Sequence, residues 1–277
     1  MRCAWKELLA VLPPRMRADV DRLGKDTMQE IRLRLGKNVQ LLCQRQVYRL
    51  DMIATREDMA FVVNTASNYS PWSAATAAQG YITAAGGHRI GLCGIAVVND
   101  GYMTGIRYPT SLCIRVARDF PGIAAGLDGL NGNILIIGPP GSGKTTLLRD
   151  LIRQISQKGQ GSIAVIDERF EVFPQCMDSG ENTDVLQGCC KSQGVQTALK
   201  TMGPACIAVD EITAEEDCRA VTEAVWCGVR VIATAHAASR QDLLQRSIYR
   251  PIIDSGLFDQ LIVLQRDKSL RTERICK

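Results

Sequence analysis

The chain has 277 residues, 46% hydrophobic and 22% charged, with a formal net charge of +4. Enough apolar residues are present to bury a core in one large or two modest domains, and the mixed charges exclude a disordered chain. The charge excess is too mild to require nucleic acid, although it is concentrated in residues 1–130, which hold 16 Lys and Arg against 11 Asp and Glu. Eleven cysteines contain no C-x-x-C pair, so a four-cysteine zinc site has no support, and their placement reads as reduced and intracellular. Cys93, Cys113, Cys206 and Cys227 lie within or beside apolar runs, where a thiol acts as a small hydrophobe, and the adjacent Cys189 and Cys190 read as structural. The opening MRCAWKELLAVLPPRMR is too interrupted for a signal peptide, and no apolar run reaches the roughly 18 residues of a membrane span, so any membrane role is expected to be peripheral.

Residues 4–24 read as two short helices split by Pro13 and Pro14. EIRLRLGKNVQLLC (30–43) alternates around Gly36-Lys37-Asn38 and predicts a hairpin. A helix is predicted over 55–67, with Thr55 as N-cap and Asp58 three residues on, and a second over 73–82. Residues 88–107 read as strands joined at Asn99-Asp100-Gly101, and 111–118 as a further strand. This part is α+β, a smaller N-terminal domain over 1–118. The glycine-rich stretch 119–132 is the expected linker. From 133 to 277 the pattern changes to short apolar runs, NILIIG, SIAVID, ACIAVD, RVIATA and QLIVLQ, mostly separated by helical segments. Continuous apolar strands alternating with helices predict an α/β domain with a mainly parallel sheet covered on both faces.

After the first of these strands stands GPPGSGKTT, Gly138, Pro139, Pro140, Gly141, Ser142, Gly143, Lys144, Thr145 and Thr146, which fits the P-loop pattern G-x-x-x-x-G-K-S/T. The glycines let amides approach phosphate oxygens, the following helix aims its positive end at the anion, Lys144 reaches the phosphates, and Thr145 offers a hydroxyl to Mg²⁺. A P-loop needs carboxylates from another strand end. CIAVDEI supplies Asp210 and Glu211; one of the two can hold Mg²⁺ through water and the other can orient the attacking water. VIDERFE brings Asp167, Glu168 and Glu171 to the same edge, one of them a candidate general base or metal-side ligand. Strand 230–235 delivers Thr234 and then His236 there, a hydroxyl and an imidazole placed to detect a γ-phosphate and couple it to movement.

The P-loop, VIDERFE, CIAVDEI and TAH, in this order, resemble the P-loop, aspartate box, Walker B and histidine box of the type II and type IV secretion and pilus ATPases. Over nearly the whole chain, EIRLRLGK, GHRIGLCG, TSLCIRVAR, NTDVLQGCCKSQGVQTALKTMGP and VDEITAEED resemble the stage III sporulation protein AA family of endospore formers. The resemblance implies a RecA-like ATPase core and a homo-oligomeric ring, a hexamer, with ATP and Mg²⁺ near subunit boundaries. It implies a cytoplasmic, membrane-peripheral post on the mother-cell side, powering a channel of membrane-embedded stage III sporulation proteins. It also makes Arg89, Arg107 and Arg115 candidates for meeting the nucleotide's phosphates. Two positions depart from the motors: Asp210 stands at their usual glycine before the glutamate, and Thr213 where a glycine often follows. The zinc insert of type II motors is absent. The expected activity is Mg²⁺-dependent ATP hydrolysis. The alternatives are a non-hydrolytic nucleotide-dependent scaffold and a nucleic-acid translocase, though no nucleic acid is expected as partner.

Overall fold

Proline fixes φ and supplies no amide hydrogen, so it can open a helix but not continue one. In the computed structural model, which describes residues 1–44, 46–68, 80–127, 129–174 and 176–275, α1 (Trp5–Val11) stops before Pro13 and α2 (Pro14–Leu23) starts on Pro14. The chain divides into two compact units, Met1–Asp119 and Phe120–Lys277.

In the first unit, β1 (Met28–Arg34) and β2 (Asn38–Cys43) pair antiparallel across a turn in which Gly36 has φ +73°. β3 (Gln46–Ile53), not foreseen from the sequence, extends the hairpin. α3 (Arg56–Asn68) begins on a capping box: the Thr55 amide donates to Asp58 Oδ2 at 2.8 Å and the Asp58 amide to Thr55 Oγ1 at 3.3 Å. The helix expected over 73–82 falls largely on residues outside those described; at its end, β4 (Tyr81–Thr83) is a strand. β5 (Arg89–Asn99) turns into β6 (Tyr102–Arg115), one strand where the sequence suggested two. Tyr108, at φ +48°, forms a bulge before Pro109, and a Cβ on Gly94 opposite would lie 2.7 Å from the Arg107 carbonyl. Pairing therefore survives the proline.

The sheet order is β3-β2-β1-β6-β5-β4. One face carries Ile31, Leu33, Leu41, Ile90, Leu112 and Ile114, all buried with Leu8, Leu12, Met16 and Val20 of the helices. His88 closes this core. It is fully buried, its Nε2 donates to the Ala4 carbonyl at 2.8 Å, and its Nδ1 accepts from the Ala117 amide at 3.1 Å. Burial holds the imidazole below its ordinary pKa, against smaller opposing effects of the Ala4 carbonyl and Glu7. A folded-state pKa below the unfolded one contributes stability above the unfolded value of about 6.5, lost as pH falls through the folded value. Urea midpoints are therefore expected to drop between pH 7 and pH 5. One of the chain's two imidazoles should titrate below the ordinary range by NMR.

In the second unit, β7 (Ile134–Ile137), β8 (Ile163–Asp167), β10 (Cys206–Ile212), β11 (Arg230–Ala235) and β12 (Gln260–Leu264) are the expected apolar strands. β9 (Thr183–Gln187) and β13 (Leu270–Arg274) were not foreseen. The order is β13-β12-β7-β11-β10-β8-β9, parallel except for the β12–β13 edge. Successive side chains point to opposite faces. Ile134 and Ile136 join the core under α4 (Lys144–Gln157), while Leu135 and Ile137 join that under α5 (Lys191–Thr201) and α6 (Glu215–Trp226). This two-sided burial explains the unbroken apolar runs. The stretch 119–132, read as a linker, packs onto this unit from Phe120 onward. Ala124 and Leu127 are buried in its core, and Asp150 of α4 accepts from the Gly122 and Ala124 amides at 2.9 and 2.8 Å. Of the cysteines expected in apolar surroundings, Cys206 is buried, Cys113 is half-buried, and Cys93 and Cys227 are exposed.

Candidate active site

β7 runs out into the P-loop at the carboxyl edge of the parallel sheet. The loop's tightness requires its glycines: a Cβ on Gly138 would lie 2.6 Å from Ser142 Oγ, and Gly143, at φ +103°, forms the N-cap of α4. Gly141 also has positive φ, Pro139 and Pro140 supply no amide donors, and Thr146 is half-buried in the first turn of α4. Ser142 Oγ is buried and has no hydrogen-bond partner among the described residues. Lys144 is buried; its Nζ donates to the Gly138 carbonyl at 2.9 Å, to that of Pro139 at 3.3 Å, and to His236 Nδ1 at 3.0 Å. Burial lowers its pKa, opposed by the charges of Asp210 and Glu211.

β10 ends in a bulge between Val209 and Ile212, with Glu211 at φ +56° and its amide held by Thr234 Oγ1 at 2.8 Å. The bulge turns two consecutive acids toward the site. Asp210 Oδ2 accepts from Thr145 Oγ1 at 2.7 Å and Oδ1 from Thr234 Oγ1 at 2.6 Å. Burial raises the Asp210 pKa, and the two hydroxyls oppose it. Glu211 Oε1 lies 3.0 Å from His236 Nε2. An ammonium has only hydrogens to give, so His236 Nδ1 is the acceptor and Nε2 carries the proton toward Glu211. The result is a continuous chain, Lys144 to His236 to Glu211, beside a second, Thr145 to Asp210 to Thr234.

The acids of the 167–171 corner divide differently. Asp167 is buried and staples its own loop: Oδ1 accepts from the Glu171 amide at 2.8 Å, and Oδ2 from the Phe173 amide at 3.1 Å and Gln187 Nε2 at 2.9 Å. Burial raises its pKa against those bonds. Glu168 pairs with the buried Lys191, which also lies 3.7 Å from Asp217. Asp167, Glu168, Glu171, Asp210 and Glu211 line one cleft together with Arg169 and Lys191. Gln187 and Lys191 had no signal in the sequence; their roles come from β9 and the start of α5 arriving beside β8. Lys268, in the β12–β13 turn, donates to the Gly141 carbonyl of the P-loop and was likewise not foreseen.

Arg89, Arg107 and Arg115 belong to the first unit. Arg89 lies over the Tyr81 ring, 3.9 Å from its centroid, and pairs across strands with Arg115, which in turn sits opposite Glu30. Arg107 and Arg115 are exposed.

The parts present fit Mg²⁺-nucleotide. The loop holds an orphaned buried hydroxyl, Ser142 Oγ, and Thr145 and Asp210 form an all-oxygen pair. Mg²⁺ typically takes one or two such protein groups and completes its octahedron with water and phosphate oxygens.

A glycine-rich P-loop sequence before the first helix of the second unit, paired acids at the end of another strand of the same sheet and a mainly parallel sheet define a RecA-like α/β protein. Its fold is that of the secretion ATPases: it matches the Legionella pneumophila ATPase DotB with a TM-score of 0.59 at 18% identity, over 94% of this chain and 78% of that one. It matches the pilus retraction motor PilT, solved with bound ADP, with a TM-score of 0.61 at 15% identity, over 89% of this chain and 76% of that one. The chain belongs to the family described as sporulation stage III, protein AA, whose model matches residues 5–274. It is 35% identical to the stage III sporulation protein AA of Bacillus subtilis, over 95% of this chain and 91% of that protein.

Proposed function

We propose that this chain is a Mg²⁺-dependent ATPase that powers a secretion-like channel between mother cell and forespore. The observation that carries the reading is the Lys144–His236–Glu211 hydrogen-bonded chain at the edge of the P-loop. It links the group that would hold the phosphates to the acid that would handle the attacking water. Thr145 and Asp210 would hold Mg²⁺, which when bound would neutralise developing charge on the phosphates. The P-loop amides and Lys144 bind the phosphate tail. Glu211 orients water and accepts its proton. His236 stands between the two and registers whether Lys144 has turned from it to a γ-phosphate. Asp167 and Glu168 shape the corner that keeps the carboxylates together.

The family membership supports a sporulation role, and the motor fold supports work done by one unit against another in a ring, six copies being the expected number. Arg89, Arg107 and Arg115 are the arginines proposed to complete a site, the partners are membrane-embedded sporulation channel proteins, and the post is cytoplasmic at the mother-cell face of the membrane. Phosphate release by the full-length chain tests the activity: turnover should require Mg²⁺ and fall to background when the metal is chelated. ATP bound in the presence of Mg²⁺ but never hydrolysed, with or without the membrane partner, would replace the motor by a nucleotide-dependent scaffold.

A further inference from the structure

Arg169 has no part in the reading above. It sits in a corner whose other residues are tied down. Asp167 holds the Glu171 and Phe173 amides, Glu168 is paired with Lys191, and Arg149 holds the Glu171 and Val172 carbonyls. From this rigid base the half-exposed Arg169 Nη1 donates to Glu211 Oε2 at 2.9 Å. The other oxygen, Oε1, is the one bonded by His236. Glu211 is therefore gripped at both oxygens by groups from two different elements, on a backbone at φ +56° that a residue with a Cβ rarely adopts. One bond would fix a point of the carboxylate; two fix its plane. Each oxygen has two acceptor directions, so one remains on each for water.

We propose that Arg169 is a positioning residue for hydrolysis: it sets the plane of the Glu211 carboxylate so that an unused acceptor direction meets the attacking water. The inference rests on the ATPase reading and adds a residue to it. Because Arg169 engages the acid, its loss should act on turnover and not on ATP affinity.

Steady-state hydrolysis by the full-length chain tests this, comparing the parent with R169A, R169K and E211Q. R169A is expected to lower kcat by about 10–100-fold, with KM and the affinity for a non-hydrolysable ATP analogue within about twofold of the parent. Millimolar guanidinium ion should restore part of the R169A rate and none of the E211Q rate, which a purely structural role would not produce. If R169A loses its cooperative melting transition, R169K, which keeps the charge but not the planar fork, decides by the same kcat criterion. A kcat within about threefold of the parent, a rise in kcat, or a loss carried by KM alone overturns the proposal while leaving the ATPase reading intact, provided E211Q abolishes turnover. An E211Q protein that still hydrolyses ATP overturns the role given to Glu211 and this proposal with it, while a parent chain that never hydrolyses ATP overturns the ATPase reading itself.

Discussion

Glu211→Gln should stop ATP turnover and leave ATP bound. The amide has nearly the same shape as the carboxylate, and its oxygen can still accept from His236 Nε2, at 3.0 Å in the parent. What it lacks is charge and the capacity to take a proton from water. Losing a positioned general base costs about 10²–10⁴-fold in rate, so residual hydrolysis should approach the detection limit. Binding should survive, because the phosphate-facing groups, the P-loop amides and Lys144, are untouched. The pair of measurements is phosphate release and equilibrium binding of labelled ATP. Complementation of sporulation by the same variant separates a motor, which would fail, from a scaffold, which would persist.

Lys144→Ala should remove ATP binding itself. The ammonium is buried against two carbonyls and an imidazole nitrogen, and burial already disfavours its charge. A cation kept in such a place gains most when an anion arrives, because its attraction is little screened there. A hydrogen bond to a charged group contributes about 1.5–3 kcal/mol, so losing contacts to two phosphates should weaken affinity by about 100-fold or more. Calorimetric titration with ATP and Mg²⁺ reads this directly. Unchanged affinity would mean that the loop does not bind the phosphate tail.

Much of the second unit is legible from apolar runs, because burial on both faces leaves no polar alternation to confuse strand with loop. Its central strands can be read in this way, and the P-loop pattern and the acids after Val209 are then placed at their ends. β9 and β13 cannot: Thr183–Gln187 alternates between half-buried and exposed positions, and Leu270–Arg274 is mostly exposed, so neither carries an apolar signature. In the first unit, β6 reads as two strands because Pro109 marks a break, which the bulge at Tyr108 absorbs. The stretch 119–132 looks like a linker for its glycines, yet a distant carboxylate, Asp150, holds its amides.

Residue spacing and hydropathy along the chain are enough to pick out the candidate groups and the strand ends that bear them. A P-loop needs glycines and a lysine at fixed spacing, and a buried parallel strand must stay apolar until it reaches the edge. Which partners hold each acid follows from the fold alone. Asp167 and Glu168 read in the sequence as candidates for a general base or metal-side ligand, but Gln187 and Lys191, supplied by neighbouring elements, bond to them. Arg169, a surface charge in one dimension, lies against Glu211 because β8 and β10 are adjacent. A hydrogen bond depends on distance and direction between groups far apart in the chain, here 42 residues, and spacing along the sequence carries neither.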